Sequence, residues 1–204
     1  LLRVTAPADF GDTLLADIVN QLRRNCPQVS IDMVLVSRYV DLVAEGVDVA
    51  IRTGALKDST LIARQAGVAR WVPFASPDYL ASAPPLKSPQ ALRHHCCLQF
   101  TPLGKESWTL QGKAGSLTVP LAGQVLINDV RVIRSMALAG EGVALLPLHL
   151  CREDCDGGRL ARVLPAWHAR ADPVHIVYPR QRFMAPKLRA FVELATQELA
   201  KGLA

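Results

Sequence analysis

Two short segments place polar or turn-forming residues where a predicted strand meets a predicted helix. Thr5–Pro7 ends a short apolar strand, and Asn128–Val130 stands at a second junction of the same kind. In open α/β sheets, ligands bind beyond the carboxyl ends of the strands, where helices begin. The first turn of a helix presents unpaired backbone N–H groups and a partial positive charge, so both junctions favour an anion. This pattern predicts a site for a small carboxylate.

The same residues also have a purely structural interpretation. Thr5 and either Asn128 or Asp129 are residue types that cap helices, and one cap contributes about 1 kcal/mol of stability. A ligand site and a pair of ordinary caps therefore remain alternatives at both junctions.

Further candidates stand at the ends of other predicted strands. Arg52 either contacts an anionic ligand or pairs with Asp48 or another surface acid. Phe100 either forms the wall of a pocket or belongs to the hydrophobic core. Ser37 and Arg38 are weaker candidates of the same kind.

Catalytic and metal-binding signatures are weak. The sequence contains no G-x-S-x-G elbow, no phosphate-binding loop, no H-E-x-x-H and no G-x-G-x-x-G. His94–His95 lies beside Cys96–Cys97, but adjacent strand residues point to opposite faces and make poor catalytic pairs. His149, Cys151 and Cys155 resemble metal ligands, yet a structural zinc site usually needs four ligands, so buried thiols are the favoured interpretation. We expect no enzyme activity, no cofactor and no metal.

Composition favours a globular protein of the reducing cytoplasm. Of 204 residues, 50% are hydrophobic, and no apolar run approaches the roughly 18 residues of a membrane span. The net charge is +5, but Lys and Arg are scattered, which argues against a nucleic-acid surface. Five cysteines, an odd number, argue against a secreted disulfide framework. No secretory leader is visible, and the first residue, Leu1, indicates a fragment that lacks its native N-terminus.

Hydrophobic periodicity predicts an α/β protein. The first block has a helix over Pro7–Asn25 between the strands Leu2–Ala6 and Val29–Val36, followed by a strand at Val47–Ile51. Strands that alternate with helices favour parallel pairing, so we expect a parallel sheet with helices packed on it.

A second block follows in the middle of the chain. Its helix, Asp129–Ala139, is expected to bury Val132, Ile133 and Met136. The predicted strands are Thr60–Pro73 (one or two strands), Cys97–Phe100, Trp108–Leu110, Leu117–Pro120, Gln124–Ile127, Val143–Leu146 and Leu160–Leu164.

The end of the chain predicts a return to the first block. A strand at Val174–Tyr178 is followed by a helix over Pro186–Lys201 with one apolar stripe. Two lobes are therefore expected, joined by two crossing segments near Arg70–Ala75 and Val174–Pro179.

Several sequence motifs, in this order and spacing, resemble the effector-binding domain of LysR-type transcriptional regulators. The motifs are Leu2–Pro7 (LRVTAP), Asp41–Gly54 (DLVAEGVDVAIRTG), Ser59–Arg64, Ala75–Leu80, His95–Phe100 (HCCLQF), Met136–Pro147, Gly158–Pro165 (GRLARVLP), Val174–Pro179 and Pro186–Phe191. Together they span essentially the whole chain.

The resemblance implies two Rossmann-like α/β subdomains joined by two crossover strands, similar in fold to type II periplasmic binding proteins. Subdomain I would comprise residues 1–73 and 178–204, and subdomain II residues 74–177, with a ligand cleft between them. The positions implied as effector-binding are Thr5, Ala6, Pro7, Arg52, Phe100, Asn128 and Asp129.

The family resemblance also implies partners. Domains of this kind commonly pair antiparallel, which by position would involve Asp12–Asn25 of one chain and Asp129–Ala139 of the other. A homodimer or homotetramer is therefore expected, and DNA would be bound only through a missing N-terminal helix-turn-helix domain. The alternatives are a periplasmic solute-binding protein of a transporter and, less favoured, a small-molecule enzyme.

Overall fold

The protein has the predicted α/β fold and consists of two compact units. The structure, a computed structural model, describes residues 1–36, 38, 40–56, 60–113, 115–121 and 125–204, with residues 12 and 13 described by their backbone only. Unit 1 comprises Leu1–Ala69 and Asp172–Ala204, and unit 2 comprises Arg70–Ala171. The predicted assignment of residues 1–73 with 178–204, and of residues 74–177, as two regulatory subdomains stays a prediction.

Eleven strands and five α-helices are present in the described residues. The strands are β1 (Leu2–Ala6), β2 (Ile31–Leu35), β3 (Val49–Thr53), β4 (Leu61–Ala75), β5 (Cys97–Phe100), β6 (Ser107–Gly112), β7 (Gly115–Pro120), β8 (Val125–Ile127), β9 (Val143–Pro147), β10 (Ala161–Arg162) and β11 (Ala171–Pro179). The α-helices are α1 (Ala16–Asn25), α2 (Pro77–Ser82), α3 (Val130–Leu138), α4 (Leu148–Asp156) and α5 (Pro186–Gly202). The chain passes from one unit to the other within β4 and again within β11.

Unit 1 is built on the strand order β2-β1-β3-β11. The first three strands are parallel, as predicted, whereas β11 runs antiparallel to β3. Helices α1 and α5 cover one face, where Ile18, Phe191 and Leu199 are fully buried. A smaller cluster, which includes Val40, Leu42, Ala50 and Val177, covers the opposite face. We call this second side the small-cluster face.

Unit 2 is built on the strand order β4-β9-β5-β8, and the short β10 pairs with β4. Strands β9, β5 and β8 are parallel, and β4 is antiparallel to β9. Helices α3 and α4 contribute Ile133 and Leu150 to one hydrophobic cluster. The antiparallel pair β6–β7 contributes Trp108 and Leu110 to another. Both clusters contain residues of the central strand β5, so its side chains are buried on two faces.

Some predicted elements need correction. Thr60–Pro73 falls in one strand, β4, that runs from Leu61 to Ala75, and the strand predicted at Leu160–Leu164 shrinks to two residues. The helix predicted from Pro7 starts as a 3₁₀ turn and a π-helical segment, and regular α-helix begins at Ala16. Gln124, the first residue of another predicted strand, lies outside the described residues.

One predicted core residue of α3 is wrong. Val132 is 47% exposed, whereas Ile133 is fully buried and Met136 packs at the edge of the cluster. Val130 and Ala137 are buried on the inward face. Residues at i, i+3 and i+7 therefore face the sheet, and Val132 falls outside that stripe.

A buried carboxylate joins α4 to its surroundings in unit 2. The Asp154 side chain is fully buried and accepts hydrogen bonds from Arg134 Nε at 2.6 Å and from Arg159 Nη2 at 2.5 Å. Its backbone carbonyl also accepts from the N–H groups of Arg159 and Leu160, at 2.8 and 3.1 Å. Asp154 thereby fixes the end of α4 against α3 and the chain that follows.

We expect Asp154→Asn to lower the free energy of unfolding by about 3 kcal/mol, because it removes the buried charge that two guanidinium groups bind. Urea denaturation measures the loss. The matched control is Asp156→Asn on the same helix, whose exposed side chain should change stability by no more than about 0.5 kcal/mol. Equal effects of the two variants would contradict the role given to Asp154.

Candidate functional site

Thr5 is a buried polar residue at the carboxyl end of β1. Its side chain is 1% exposed, and Oγ1 has no hydrogen-bond partner among the described residues. The neighbours Val4 and Ala6 belong to the main core of unit 1, so alternation along the strand places Thr5 on the small-cluster face. Thr5 pairs in register with Ala50, a member of the small cluster.

The first predicted junction therefore does not contain an ordinary cap. Pro7 precedes the 3₁₀ turn Ala8–Phe10, and no side chain caps that turn. Thr5 makes no capping hydrogen bond within the described residues. Ala6 is buried, and its carbonyl accepts a hydrogen bond from the Val36 N–H at 2.9 Å. The structural alternative considered for Thr5 is thus wrong, and its unsatisfied hydroxyl needs another explanation.

Arg52 lies on β3 two residues beyond Ala50, which puts it on the small-cluster face with Thr5. Its Nη2 donates to the Val40 carbonyl at 3.5 Å. Asp48, the acid considered as its partner, accepts hydrogen bonds from the Arg3 backbone N–H and the Lys187 side chain, at 2.8 and 3.3 Å. The structure thus brings Thr5 and Arg52 to one face of unit 1.

The weaker candidates have different outcomes. Arg38 forms a two-point ion pair with Glu45, with donor–acceptor distances of 2.9 and 2.8 Å. Ser37 lies outside the described residues.

His175 was missed by sequence reasoning. It lies on β11 directly opposite Arg52, with Val174 and Ile176 on either side of it in the main core. Its Nδ1 is buried and has no hydrogen-bond partner in the part of the chain that the structure describes. Burial lowers the pKa of the His175 imidazole. Alternating apolar residues around His175 were the available signal, but the register with Arg52 could not be read from sequence.

In unit 2, the structure brings Phe100, Asn128 and Asp129 to the carboxyl edge of the sheet. Phe100 ends β5 and pairs with Ile127, the residue before Asn128. The Phe100 ring stacks on Trp71 with a centroid separation of 5.4 Å and an interplanar angle of 13°. Trp71 is a second residue that sequence reasoning missed, because it comes from β4, far away in the chain.

At the second predicted junction, Asp129 does cap a helix, and its predicted role in effector binding stays a prediction. Asp129 is the N-cap of α3, and its Oδ1 accepts from the Arg131 backbone N–H at 2.9 Å. Its Oδ2 also accepts from Arg131 Nη2 at 2.7 Å. Hydrogen bonding to the Arg131 side chain is the main cause that lowers the Asp129 pKa. A ligand carboxylate at this helix end would meet the negative charge of Asp129, whereas Asn128 is exposed and uncharged.

Burial keeps two thiols and one imidazole of unit 2 uncharged near neutral pH. Burial raises the pKa of the Cys97 thiol to about 12 and also raises that of Cys151. Burial lowers the pKa of His149 to about 4. Thiols that resist ionisation are poor nucleophiles and poor metal ligands. Within the described residues, no three His, Cys, Asp or Glu side chains are grouped to hold a metal ion.

The mixed α/β architecture is that of the type II periplasmic-binding-protein fold class. The chain belongs to the LysR substrate-binding-domain family, because the model of that family matches residues 1–200. Both the family resemblance and the fold class inferred from sequence are confirmed. A helix long and apolar enough to cross a membrane is absent from the described residues.

Relatives and solved structures agree with this assignment. The chain is 32% identical over 201 residues to the HTH-type transcriptional regulator PtxR of Pseudomonas aeruginosa, covering 98% of this chain and 64% of the relative. It resembles the regulatory domain of the LysR-type regulator CrgA from Neisseria meningitidis with a TM-score of 0.85 and 28% identity, covering 97% of this chain and 98% of that one.

Full-length AphB, the Vibrio cholerae virulence activator, matches with a TM-score of 0.86 and 26% identity, over 96% of this chain and 67% of that one. The chain spans less than two thirds of the PtxR sequence. The relatives that match are thus longer transcriptional regulators.

We expect Asp129→Ala to lower the free energy of unfolding by about 1 kcal/mol near neutral pH, because α3 loses its N-cap. Asp129→Asn should lower the free energy of unfolding by less, since Asn also caps helices. The pKa of Asp129 is lower in the folded state than in the unfolded state. The charge of Asp129 therefore stabilises the fold above the pKa of the unfolded state, and this stabilisation is lost as pH falls through the pKa of the folded state. Urea denaturation near neutral pH and below about pH 4 measures both effects. If the difference in unfolding free energy between Asp129→Ala and the wild type did not change with pH, a stabilising role of the Asp129 charge would be contradicted.

We expect Thr5→Val to raise the free energy of unfolding by about 1 kcal/mol, because an unsatisfied buried hydroxyl is replaced by an isosteric methyl group. Thermal denaturation of the ligand-free domain measures the change. Thr109→Val is the matched control, since Thr109 Oγ1 is hydrogen-bonded to Thr118 Oγ1 at 2.9 Å on an exposed face. Destabilisation by Thr5→Val would show that the hydroxyl has a partner in the free protein.

Proposed function

We propose that this chain is the effector-sensing domain of a longer LysR-family regulator and that it binds a small carboxylate metabolite. Ligand binding would change how the complete protein binds DNA and controls transcription. The observation that carries the proposal is the family match across residues 1–200. The relatives are helix-turn-helix regulators of which this chain covers about two thirds or less, so the proposal assigns DNA binding to the remainder.

The proposed effector contacts are Thr5, Ala6, Pro7 and Arg52 in unit 1, and Phe100, Asn128 and Asp129 in unit 2. Two features support an anionic effector. Arg52 carries a permanent positive charge, and it shares the small-cluster face with the buried, unsatisfied Thr5 hydroxyl. The Phe100–Trp71 stack offers a separate apolar contact surface on unit 2. Because the relatives are transcriptional regulators, we propose no catalytic role for these residues.

We propose that self-association couples effector binding to DNA binding. Exposed apolar side chains lie on the outer strand of each unit, Val34 and Leu35 on β2 and Leu126 on β8. Val132 on α3 adds to the exposed apolar surface of unit 2. These surfaces support a homodimer or homotetramer that uses the helices over Asp12–Asn25 and Asp129–Ala139.

The proposed mechanism is a shift between two dimer geometries. A ligand shifts such an equilibrium only by its difference in affinity for the two geometries. Because promoter DNA is the target, the proposal places the complete protein in the cytoplasm. A periplasmic solute-binding role is not favoured, since the relatives are transcriptional regulators.

A carboxylate that raises the melting temperature of this domain should also change the affinity of the complete protein for its own promoter DNA. We expect Arg52→Gln to weaken carboxylate binding at least about tenfold, or about 1.4 kcal/mol, through loss of a charge-assisted hydrogen bond. The promoter affinity of the ligand-free complete protein should not change. Thermal shift and fluorescence anisotropy with labelled promoter DNA measure the two effects.

Arg93→Gln is the matched control, because Arg93 is exposed and donates only locally, to the Gln90 carbonyl at 2.9 Å. Identical promoter affinity with and without a saturating, tightly bound ligand would overturn the proposed function.

A further inference from the structure

A third polar side chain extends the Thr5–Arg52 pair on the small-cluster face of unit 1. The strand order places β3 between β1 and β11, so Arg52 is flanked by the strand of Thr5 and the strand of His175. His175 is the register partner of Arg52. Side chains that are opposite each other in an antiparallel pair lie on the same face, with Cβ atoms about 5 Å apart.

Two buried polar groups on this face are unsatisfied within the described part of the chain. The Thr5 hydroxyl and the His175 Nδ1 are both buried, and neither has a hydrogen-bond partner among the described residues. An unsatisfied buried polar group costs about 1–3 kcal/mol, and native structures contain few of them. The two groups come from the two strands that flank the strand of Arg52. This arrangement fits an anionic group that accepts hydrogen bonds from all three side chains.

We propose that His175 completes the anion subsite with Thr5 and Arg52, and that binding of a carboxylate effector is coupled to uptake of one proton by His175. The inference rests on the proposed effector-sensing function and deepens it. The proton comes from solvent and joins the imidazole, and no covalent bond to the ligand forms. The carboxylate then binds an imidazolium rather than a neutral ring.

The other charged groups near this face are Arg52 and the carboxylates of Asp41 and Glu45. Arg52 is permanently charged. Residues Val40, Leu42 and Val47 bring the segment over residues 40–47 onto this face, together with Glu45 and Asp41.

Hydrogen bonding from Arg38 lowers the pKa of Glu45, which therefore stays ionised. Asp41 accepts from the Val43 and Ala44 N–H groups at 3.0 and 3.1 Å. On β4, strand alternation places Ala63 and Gln65 on the same face as Leu61, and neither side chain titrates. His175 supplies an imidazole on the described part of this face, and imidazole is the side chain whose ordinary pKa lies between about pH 5 and 8.

The sign of the coupling follows from the location of His175. Burial lowers its pKa in the free protein, so the ring is neutral near pH 7. A bound carboxylate favours the protonated ring and raises this pKa. Carboxylate affinity should therefore increase as pH falls, by up to about tenfold for each pH unit between the free and bound pKa values.

The test is isothermal titration calorimetry of this domain with the tightest binder from a panel of acetate, succinate, benzoate and 4-hydroxybenzoate. We expect affinity at about pH 5.5 to be about tenfold higher than at pH 7.5, with a proton uptake approaching one at intermediate pH. The uptake is read from the dependence of the binding enthalpy on the ionisation enthalpy of the buffer. A residue with a merely structural role would not change this readout.

Two substitutions give opposite expectations. His175→Gln should bind weakly at both pH values with no proton uptake, and His175→Lys should bind tightly at both, because its charge is fixed. His94→Gln is the matched control, since His94 is exposed on the other unit, and it should retain the wild-type pH dependence. Thr5→Val should weaken binding equally at both pH values.

Several outcomes would overturn the inference. They are carboxylate binding that does not depend on pH, unchanged proton uptake in His175→Gln, and binding of none of the four carboxylates. The proposed function is tested separately in the complete protein. If neutral metabolites change its promoter affinity while carboxylates do not bind, effector sensing stands and the anion subsite fails. If no metabolite changes promoter affinity, the proposed function itself fails.

Discussion

The antiparallel pairing of β11 with β3 is the constraint on which unit 1 depends. β11 comes from the far end of the chain, and four register pairs, from Val174–Thr53 to Val177–Ala50, fix it against β3. This register buries Val174 and Ile176 under α1 and α5 and turns His175 to the other face beside Arg52. A slip of one residue would exchange these faces, so the hydrophobic core and the candidate anion subsite are specified by the same alternation.

Local patterns predicted the helices that pack by an apolar stripe. The buried residues of α5 include Leu188, Phe191 and Leu199, which recur at helical spacing, and the structure places them in the main core of unit 1. For α3, the helix itself is confirmed, but its inward face was misassigned by one position at Val132. Three apolar residues lie close together at Val130, Val132 and Ile133 and fit more than one stripe, so burial against the sheet decides which of them face inward.

The pairing and register of the strands could not be predicted from the sequence. The junctions after β1 and β8 were predicted from local composition, and Thr5 and Asp129 do lie there. The residues that contact the other predicted positions come from distant parts of the chain. His175 is opposite Arg52, and Trp71 stacks on Phe100. No local propensity encodes which strands become neighbours or in what register, because these contacts form only when distant segments meet.

Buried polar groups among the described residues are of two kinds, those with hydrogen-bond partners and those without. Asp154 has its charge matched by two guanidinium groups and its backbone carbonyl by two N–H groups, so it contributes to stability. Thr5 is equally inaccessible but has no partner within the described residues, so it reduces stability in the free protein. Strain of this kind is relieved when a ligand supplies the missing acceptor, and that relief adds to affinity.

The candidate positions in the two units differ in the charge that they offer to a carboxylate. At α3, the Asp129 carboxylate accepts from the Arg131 N–H and guanidinium, so a second carboxylate there would meet a like charge. On unit 1, Arg52 lies between Thr5 and His175, whose polar atoms lack acceptors or donors in the described structure. Like-charge repulsion at α3 and unsatisfied polar groups on the small-cluster face both support the proposal that a carboxylate effector binds to unit 1.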